Sequence, residues 1–225
     1  MRPYLIIHMM QSVDGRIDCA MTEEIDPSDA YYEALDKLGC PSQIMGRVTM
    51  QMHFAAHEPF VAHDTTPIGR RDIHKAVSSK GYTVAIDTLG RLTWTGAECD
   101  GRPLIVLTSE DCASEYHETL TRQGISWIAV GSGGIDLKSA FEALGDVFGI
   151  ERIAGTGGGH INGALLAEGL VDEVSVMIGP GIDGRRGMTA VFDGIDDTCR
   201  HATLLNLNNV ERVGDDVWLR YSVKR

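Results

Sequence analysis

Apolar and polar positions along the chain follow two periods, and the alternation between them outlines a fold. Near the start, "YLIIHMM" is an unbroken apolar run of strand length, the pattern of a strand covered on both faces. The runs "SQIMG", "YTVAID", "PLIVLT", "SWIAV" and "GIERIAG" read as further strands. Between them the period becomes helical. Tyr31, Ala34, Leu35 and Leu38 share one face of a helix that has Asp26 as N-cap and Pro27 in its first turn, and that ends at Gly39 and Pro41. "RVTMQMHF" is a short helix, and residues 111–122 form another with Ser109 as its cap. The clearest stripe is Leu137, Ala140, Phe141, Leu144, Val147 and Phe148, capped by Asp136. Ile161, Ala164 and Leu165 mark a last helical face, closed by a left-handed Gly169. "VDEVSVMIG" then returns to strand, with Val174, Val176 and Ile178 alternating.

Strands alternating with helices predict an α/β domain built on a mixed, mostly parallel sheet flanked by helices. The C-terminus departs from that rhythm. "HATLLNLNNV" and "DDVWLRYSVKR" read as two strands around a turn at Val213 and Gly214, with Val217, Leu219, Tyr221 and Val223 on one face. They make a C-terminal antiparallel hairpin. "QSVDGRIDCAMTEEI" reads as a polar loop, "TLGRLTWTGAECDGR" as loop or poorly patterned strand, and residues 55–80 as a long surface segment with a short helix near Arg71. With no internal repeat and no linker, residues 1–225 are read as a single domain.

Charge narrows the partners. A formal net charge of −12 argues against a nucleic-acid or anionic-membrane surface, so a phosphorylated ligand needs a locally basic or amide-rich site. No apolar run approaches a membrane span, and "YLIIHMM" is too short and too soon polar for a secretion signal. Cys19, Cys40, Cys99, Cys112 and Cys199 are scattered and odd in number, which fits a reducing cytoplasm. His53, His57 and His63 lack the glutamate of a helical zinc motif, so no metal is expected.

The candidate chemistry lies at strand ends, where open α/β sheets bind ligands. The stretch "GTGGGHINGALLAEGLVDEV" places Gly157, Gly158 and Gly159 between a strand and a helix, whose first amides suit a phosphate. It is neither the dinucleotide fingerprint, since His160 stands where a last glycine would fall, nor a Walker loop. Gly46, Arg47 and Thr49 open the helix after "SQIMG"; Thr88 and Thr108 follow two other strands. Asp14 with Gly15 carries a turn signature after the first strand, with an active-site acid as the other reading.

Taken in order, "QSVDGRI", "IMGRVT", "AIDTLGRL", "IVLT" and "GGGHINGALLAEGLVDEV" resemble the reductase domain of riboflavin biosynthesis, within the dihydrofolate-reductase-like superfamily. The resemblance covers nearly the whole chain and is weakest over residues 55–80. It implies NADPH held across strand ends. Gly158, Gly159, His160, Ile161, Asn162, Gly163 and Ala164 would hold the pyrophosphate, Gln11, Thr49 and Thr88 other parts of the cofactor, and Arg47 its 2′-phosphate, while Gly157, Gly46 and Thr108 are cofactor candidates from their places at strand ends. It implies hydride transfer to a C=N or C=O carbon, as in the 5-amino-6-(5-phosphoribosylamino)uracil reductases, in a cytoplasmic homodimer without a deaminase domain attached. The substrate side departs from the family. Thr156 replaces the usual Glu before the triple glycine, Lys37 stands near the position of a phosphate-binding Arg, and no D-x-P-x-L-x-x-R segment follows Thr49, with Arg70 and Arg71 the nearest substitutes. Lys37 and Thr156 are therefore the candidate substrate contacts, and Asp14 and a water on Thr156 the candidate proton sources. A pteridine-like, small carbonyl or imine substrate, or binding without catalysis, are the alternatives.

Overall fold

The computed structural model describes residues 1–26 and 28–225. The elements in chain order begin with β1 (Tyr4–Gln11), α1 (Cys19–Ile25), α2 (Ala30–Lys37), β2 (Ser42–Gly46) and α3 (Arg47–His53). Next come β3 (Asp72–His74), β4 (Thr83–Ile86), β5 (Glu98–Cys99), β6 (Arg102–Thr108), α4 (Ser114–Arg122) and β7 (Ser126–Ala129). The chain finishes with α5 (Leu137–Asp146), β8 (Arg152–Gly155), α6 (Gly159–Ala167), β9 (Val171–Ile178), β10 (Leu205–Val213) and β11 (Asp216–Val223).

The chain divides into two compact units, one of Met1–Pro3 with Pro41–Ile153 and one of Tyr4–Cys40 with Ala154–Arg225. In the first, β2, β4, β6 and β7 pair in parallel in that order. β3 adds an antiparallel edge on β7, and β5 pairs antiparallel with the start of β6. Met45, Met50, Ala85, Leu92, Trp94, Val106, Tyr116, Leu120 and Trp127 close into its core. In the second unit, β1 and β9 are parallel, with Gln11 opposite Ile178, and β9, β11 and β10 continue antiparallel. Ile6, Met10, Ala34, Leu35, Met177 and Trp218 pack there around α2. Both units are mixed α/β, as the alternating periods predict.

Several expectations change. The polar loop after β1 contains α1, capped by Asp18, whose carboxylate accepts the Met21 amide. Asp26 ends α1 and does not cap α2, which has Asp29 at its N-cap without a side-chain bond. Pro27 lies outside the described residues. Near Arg71 there is a strand, β3, because His74, Ile73 and Asp72 pair with Trp127, Ile128 and Ala129. Helix α4 starts only at Ser114, and Ser109 donates its hydroxyl to the Thr88 carbonyl. The α5 stripe is buried except for Val147, which turns out to solvent past the helix end.

Two faces differ from their pattern. In β9, Ser175 and Met177 are fully buried and Val176 and Ile178 only half-buried, since neighbours on both sides make β9 an interior strand. In β11, Trp218 is the inward residue and Val217 is exposed. Trp218 faces in because its indole N–H has a buried acceptor, Ser175 Oγ at 2.8 Å.

Candidate active site

The second unit gathers three segments at the carboxyl ends of its parallel strands. These are the turn after β1 (residues 12–16), the glycine turn that opens α6 (residues 156–161) and the segment after β9 (residues 179–193). The Val13 amide donates to the Gly181 carbonyl and the Ile17 amide to Thr189. Arg16 and Ala190 form an antiparallel bridge. The Asp193 amide donates to the Gly159 carbonyl, and Asn162 Nδ2 to Val191 O at 2.8 Å.

This knitting explains two of the glycines. A Cβ on Gly159 would run into the Ala190 carbonyl oxygen, and one on Gly163 into that of Asp193. The close approach demanded at these positions comes from the chain's own backbone. Gly157 meets a different need, a φ of 141° that L side chains rarely adopt, and the Gly157–Gly158 peptide is cis.

The start of α6 leaves donors open. Gly158 occupies the N-cap and supplies no side-chain acceptor. The amides of Gly159, His160 and Ile161 sit in the first turn, where no carbonyl lies one turn back. Thr156 Oγ1, at the end of β8, is buried without a hydrogen-bond partner. Orphaned donors and a partial positive charge fit the phosphates of a dinucleotide. The fit ends with the first turn. The Asn162 amide bonds the Gly158 carbonyl, and Asn162 and Gly163 are buried against residues 191–193. The amides of Gly163 and Ala164 fall where the helix pairs its own backbone. Ile161 and Ala164, expected on the buried face, are half-buried, and His160 is exposed with its ring against Gly194.

Asp14 has a structural role that its turn signature foreshadowed. Its carboxylate accepts the Ser12 hydroxyl at 2.6 Å, the Gly184 amide at 2.9 Å and the Asp183 amide at 3.0 Å. Those bonds, the Ser12 hydroxyl first, hold its carboxyl well below the usual carboxylate range. It has no proton to donate at neutral pH, which corrects its candidacy as the acid. Gln11 ends β1, with its carbonyl accepting the Gly179 amide.

A buried polar chain lies behind this site. His8 Nε2 donates to the Tyr31 carbonyl at 3.1 Å, so Nδ1 accepts from Ser175 Oγ at 2.9 Å, and Ser175 accepts from Trp218. Burial depresses the His8 pKa to about 4, so the ring stays neutral as a hydrogen-bonded core residue. Lys37, on the last turn of α2, holds its Nζ 5.8 Å from the Trp218 ring centre. A phosphate contact would need it to leave that cation–π position.

In the first unit Gly46 is the N-cap of α3, Arg47 is exposed on its first turn, and Thr49 is half-buried. Thr88 is half-buried after β4 and receives both the Ser109 amide and hydroxyl on its carbonyl, leaving its own side chain uncommitted to those bonds. Thr108 does not fit a ligand contact: it is fully buried, with its hydroxyl 2.8 Å from His117 Nε2. Arg70 is exposed and paired with Asp72. Among the described residues no group of His, Cys, Asp or Glu is placed to hold a metal ion.

One residue escaped the sequence reading. Arg16 Nη1 donates to the Met188 carbonyl at 2.7 Å, while its Nε is buried without a partner. Its signal was the arginine of "QSVDGRI", which entered the family resemblance without a role of its own.

The family described as RibD C-terminal domain matches residues 3–219. The 2,5-diamino-6-ribosylamino-4(3H)-pyrimidinone 5′-phosphate reductase of Methanothermobacter thermautotrophicus is 28% identical over 100% of both chains. RibD of Acinetobacter baumannii superposes with a TM-score of 0.72 at 21% identity, over 99% of this chain and 58% of that one. The chain thus spans little more than half of that RibD. A pyrimidine reductase-like protein of Corynebacterium diphtheriae superposes with a TM-score of 0.70 at 18% identity, covering 99% of this chain and 92% of that one. These superpositions bear out the dihydrofolate-reductase-like fold expected from the motif order. With the family match running nearly end to end, the chain belongs to the RibD C-terminal domain family.

Proposed function

We propose that this protein is an NADPH-dependent reductase of 2,5-diamino-6-ribosylamino-4(3H)-pyrimidinone 5′-phosphate, the compound named for its Methanothermobacter relative. That is the amino counterpart of the uracil expected from the motif resemblance. The observation that carries the reading is the start of α6, where an uncapped first turn adjoins the buried, unpartnered Thr156 hydroxyl in a member of a reductase family.

NADPH, when bound, supplies the hydride. The amides of Gly159, His160 and Ile161 bind its pyrophosphate, and Gln11, of the same unit, adds a contact. Thr156 Oγ1, free of protein partners, meets the substrate and orients the water that delivers the proton. A threonine hydroxyl is itself a weak acid, so its part is positioning. The protein's contribution is therefore orientation and exclusion of water.

We also propose a homodimer. Leu205, Leu207 and Val210 pair with Val223, Tyr221 and Leu219 across the hairpin, and Leu207 and Val210 are each 57% exposed. A second copy would cover that apolar face. No helix among the described residues is long and apolar enough to cross a membrane; with five thiols and no disulfide, we place the protein in the cytoplasm.

The test is calorimetric titration with NADPH and NADH, followed by NADPH oxidation with the named pyrimidinone. Tight binding, preference for NADPH and turnover are expected. Binding without turnover of this compound would move the reading to another acceptor; no binding of either nucleotide would end it.

A further inference from the structure

The proposed substrate carries a phosphate, yet the chain lacks the family's D-x-P-x-L-x-x-R segment, and Arg70 is spent on Asp72. We propose that the phosphate is received by the loop after β9, through Arg186 together with Arg16, an inference that rests on the substrate reading above.

The loop is placed where a ligand belongs. β1 and β9 run parallel, so the turn after β1 and the loop after β9 leave the sheet at the same carboxyl end. Asp14 fixes the loop by accepting the amides of Asp183 and Gly184. Gly184 and Gly187 have φ values of 67° and 79°, so Arg185 and Arg186 are carried on a turn bounded by two left-handed glycines.

The guanidinium groups divide into spent and open ones. Arg185 is neutralised by Asp183, with Nε–Oδ1 at 2.5 Å, and lies 3.5 Å from Asp18. Arg186 is exposed and makes no side-chain hydrogen bond or ion pair among the described residues. Arg16 is the second, independent sign of a ligand. It is anchored through Nη1 to the carbonyl of Met188, two residues beyond Arg186, and its Nε is buried and lacks an acceptor. A buried N–H with nothing to donate to is costly, and a phosphate oxygen is the acceptor that would relieve it. Asp14, Asp18 and Asp183 are the acidic neighbours. Their charges are met by amides, a hydroxyl and Arg185, so they do not consume Arg186. In a chain of net charge −12, an uncommitted Arg186 two residues from the carbonyl that anchors Arg16 offers the planar donors that a phosphate monoester needs.

The experiment titrates ribose 5-phosphate into wild type, Arg186→Ala and Arg186→Lys by calorimetry. It then measures KM and kcat of each for the pyrimidinone with and without its phosphate. Wild type should bind ribose 5-phosphate, and Arg186→Ala should bind it about 10-fold or more weakly, with Arg186→Lys between. KM for the phosphorylated substrate should rise by a similar factor in Arg186→Ala, with kcat, NADPH affinity and KM for the dephosphorylated compound unchanged. Matching thermal unfolding of the variants would exclude misfolding. Equal ribose 5-phosphate affinity in wild type and Arg186→Ala, or none in wild type at millimolar concentrations, overturns the site. If binding depends on Arg186 but wild type does not reduce the pyrimidinone, the phosphate site stands and the substrate reading falls. If wild type reduces it and Arg186→Ala leaves KM unchanged, the reverse holds.

Discussion

Two turns in this chain share one local grammar, strand then glycines then helix, and they end in opposite states. In residues 130–136 the donors are already taken. Glu110 Oε1 accepts the Gly131 amide at 3.1 Å, Asp111 Oδ2 accepts the Gly133 amide at 2.5 Å, and Asp136 accepts the Ser139 amide as N-cap of α5. In residues 155–161 the N-cap is Gly158, no carboxylate caps α6, and Thr156 Oγ1 has no partner. Glycine content does not separate a scaffold turn from a ligand turn. The presence of the protein's own acceptors does. Three acidic side chains make the α5 turn self-sufficient, and the α6 turn, without such a cap, keeps its first-turn amides open.

The most severe way to break the α6 turn is to fill a glycine that packs on residues 189–193. Gly163→Ala would drive its methyl into the Asp193 carbonyl. It should cost about 2–3 kcal/mol of stability in urea or thermal unfolding. Gly133→Ala in the α5 turn meets open space and only a left-handed φ of 75°, and should cost about 1 kcal/mol.

A sharper probe gives α6 the acceptor that α5 has. Gly158 has φ −100° and ψ 178°, a conformation open to any residue. Gly158→Asp should cap the first-turn amides, add a negative charge and weaken NADPH binding about 10-fold or more by calorimetry. Gly158→Asn, a cap without charge, should weaken it less. Equal affinities in all three proteins would mean that these amides do not serve the cofactor.

The mildest probe removes the acceptor from α5. Asp136→Ala should lose about 1 kcal/mol of stability and leave NADPH affinity unchanged. Acid should act in the same direction. The Ser139 hydroxyl and amide hold the Asp136 carboxyl below its ordinary value. Its stabilisation is therefore complete above about pH 4 and is lost as pH falls below that. Amide exchange at Ser139 should accelerate on acidification relative to its unstructured rate, while Asn162, whose turn relies on no carboxylate, should not follow. Parallel acceleration at both helix starts would contradict the contrast.

What the sequence revealed follows from how each element is held. β1, β6 and α5 were legible because apolar runs or stripes record burial directly, as in Leu5, Ile6 and Ile7 or Ala140, Phe141 and Leu144, all 0% exposed. Helix α1 was invisible because Met21 is its one buried residue. β3 was missed because a three-residue edge strand leaves no period to find. The site was legible in the order of its glycines but not in its boundaries. Which amides stay open depends on where α6 begins and on residues 179–193, which carry no periodicity. Their positions are fixed from far away in the chain, by Asp14 at residues 183 and 184 and by Gly159 at Asp193. Thr108 looked like any hydroxyl at a strand end until the fold brought His117 against it.

The contact of Gly159 and Gly163 with the backbone of residues 190–193 has a consequence for exchange between relatives. The two segments act as one cassette even though the end of α6 and all of β9 separate them in the chain. A chimaera with its crossover inside β9 would pair the glycine helix of one parent with the covering strap of another, at contacts where even a methyl group does not fit. Crossovers that carry both segments together should fold and keep the start of α6 intact.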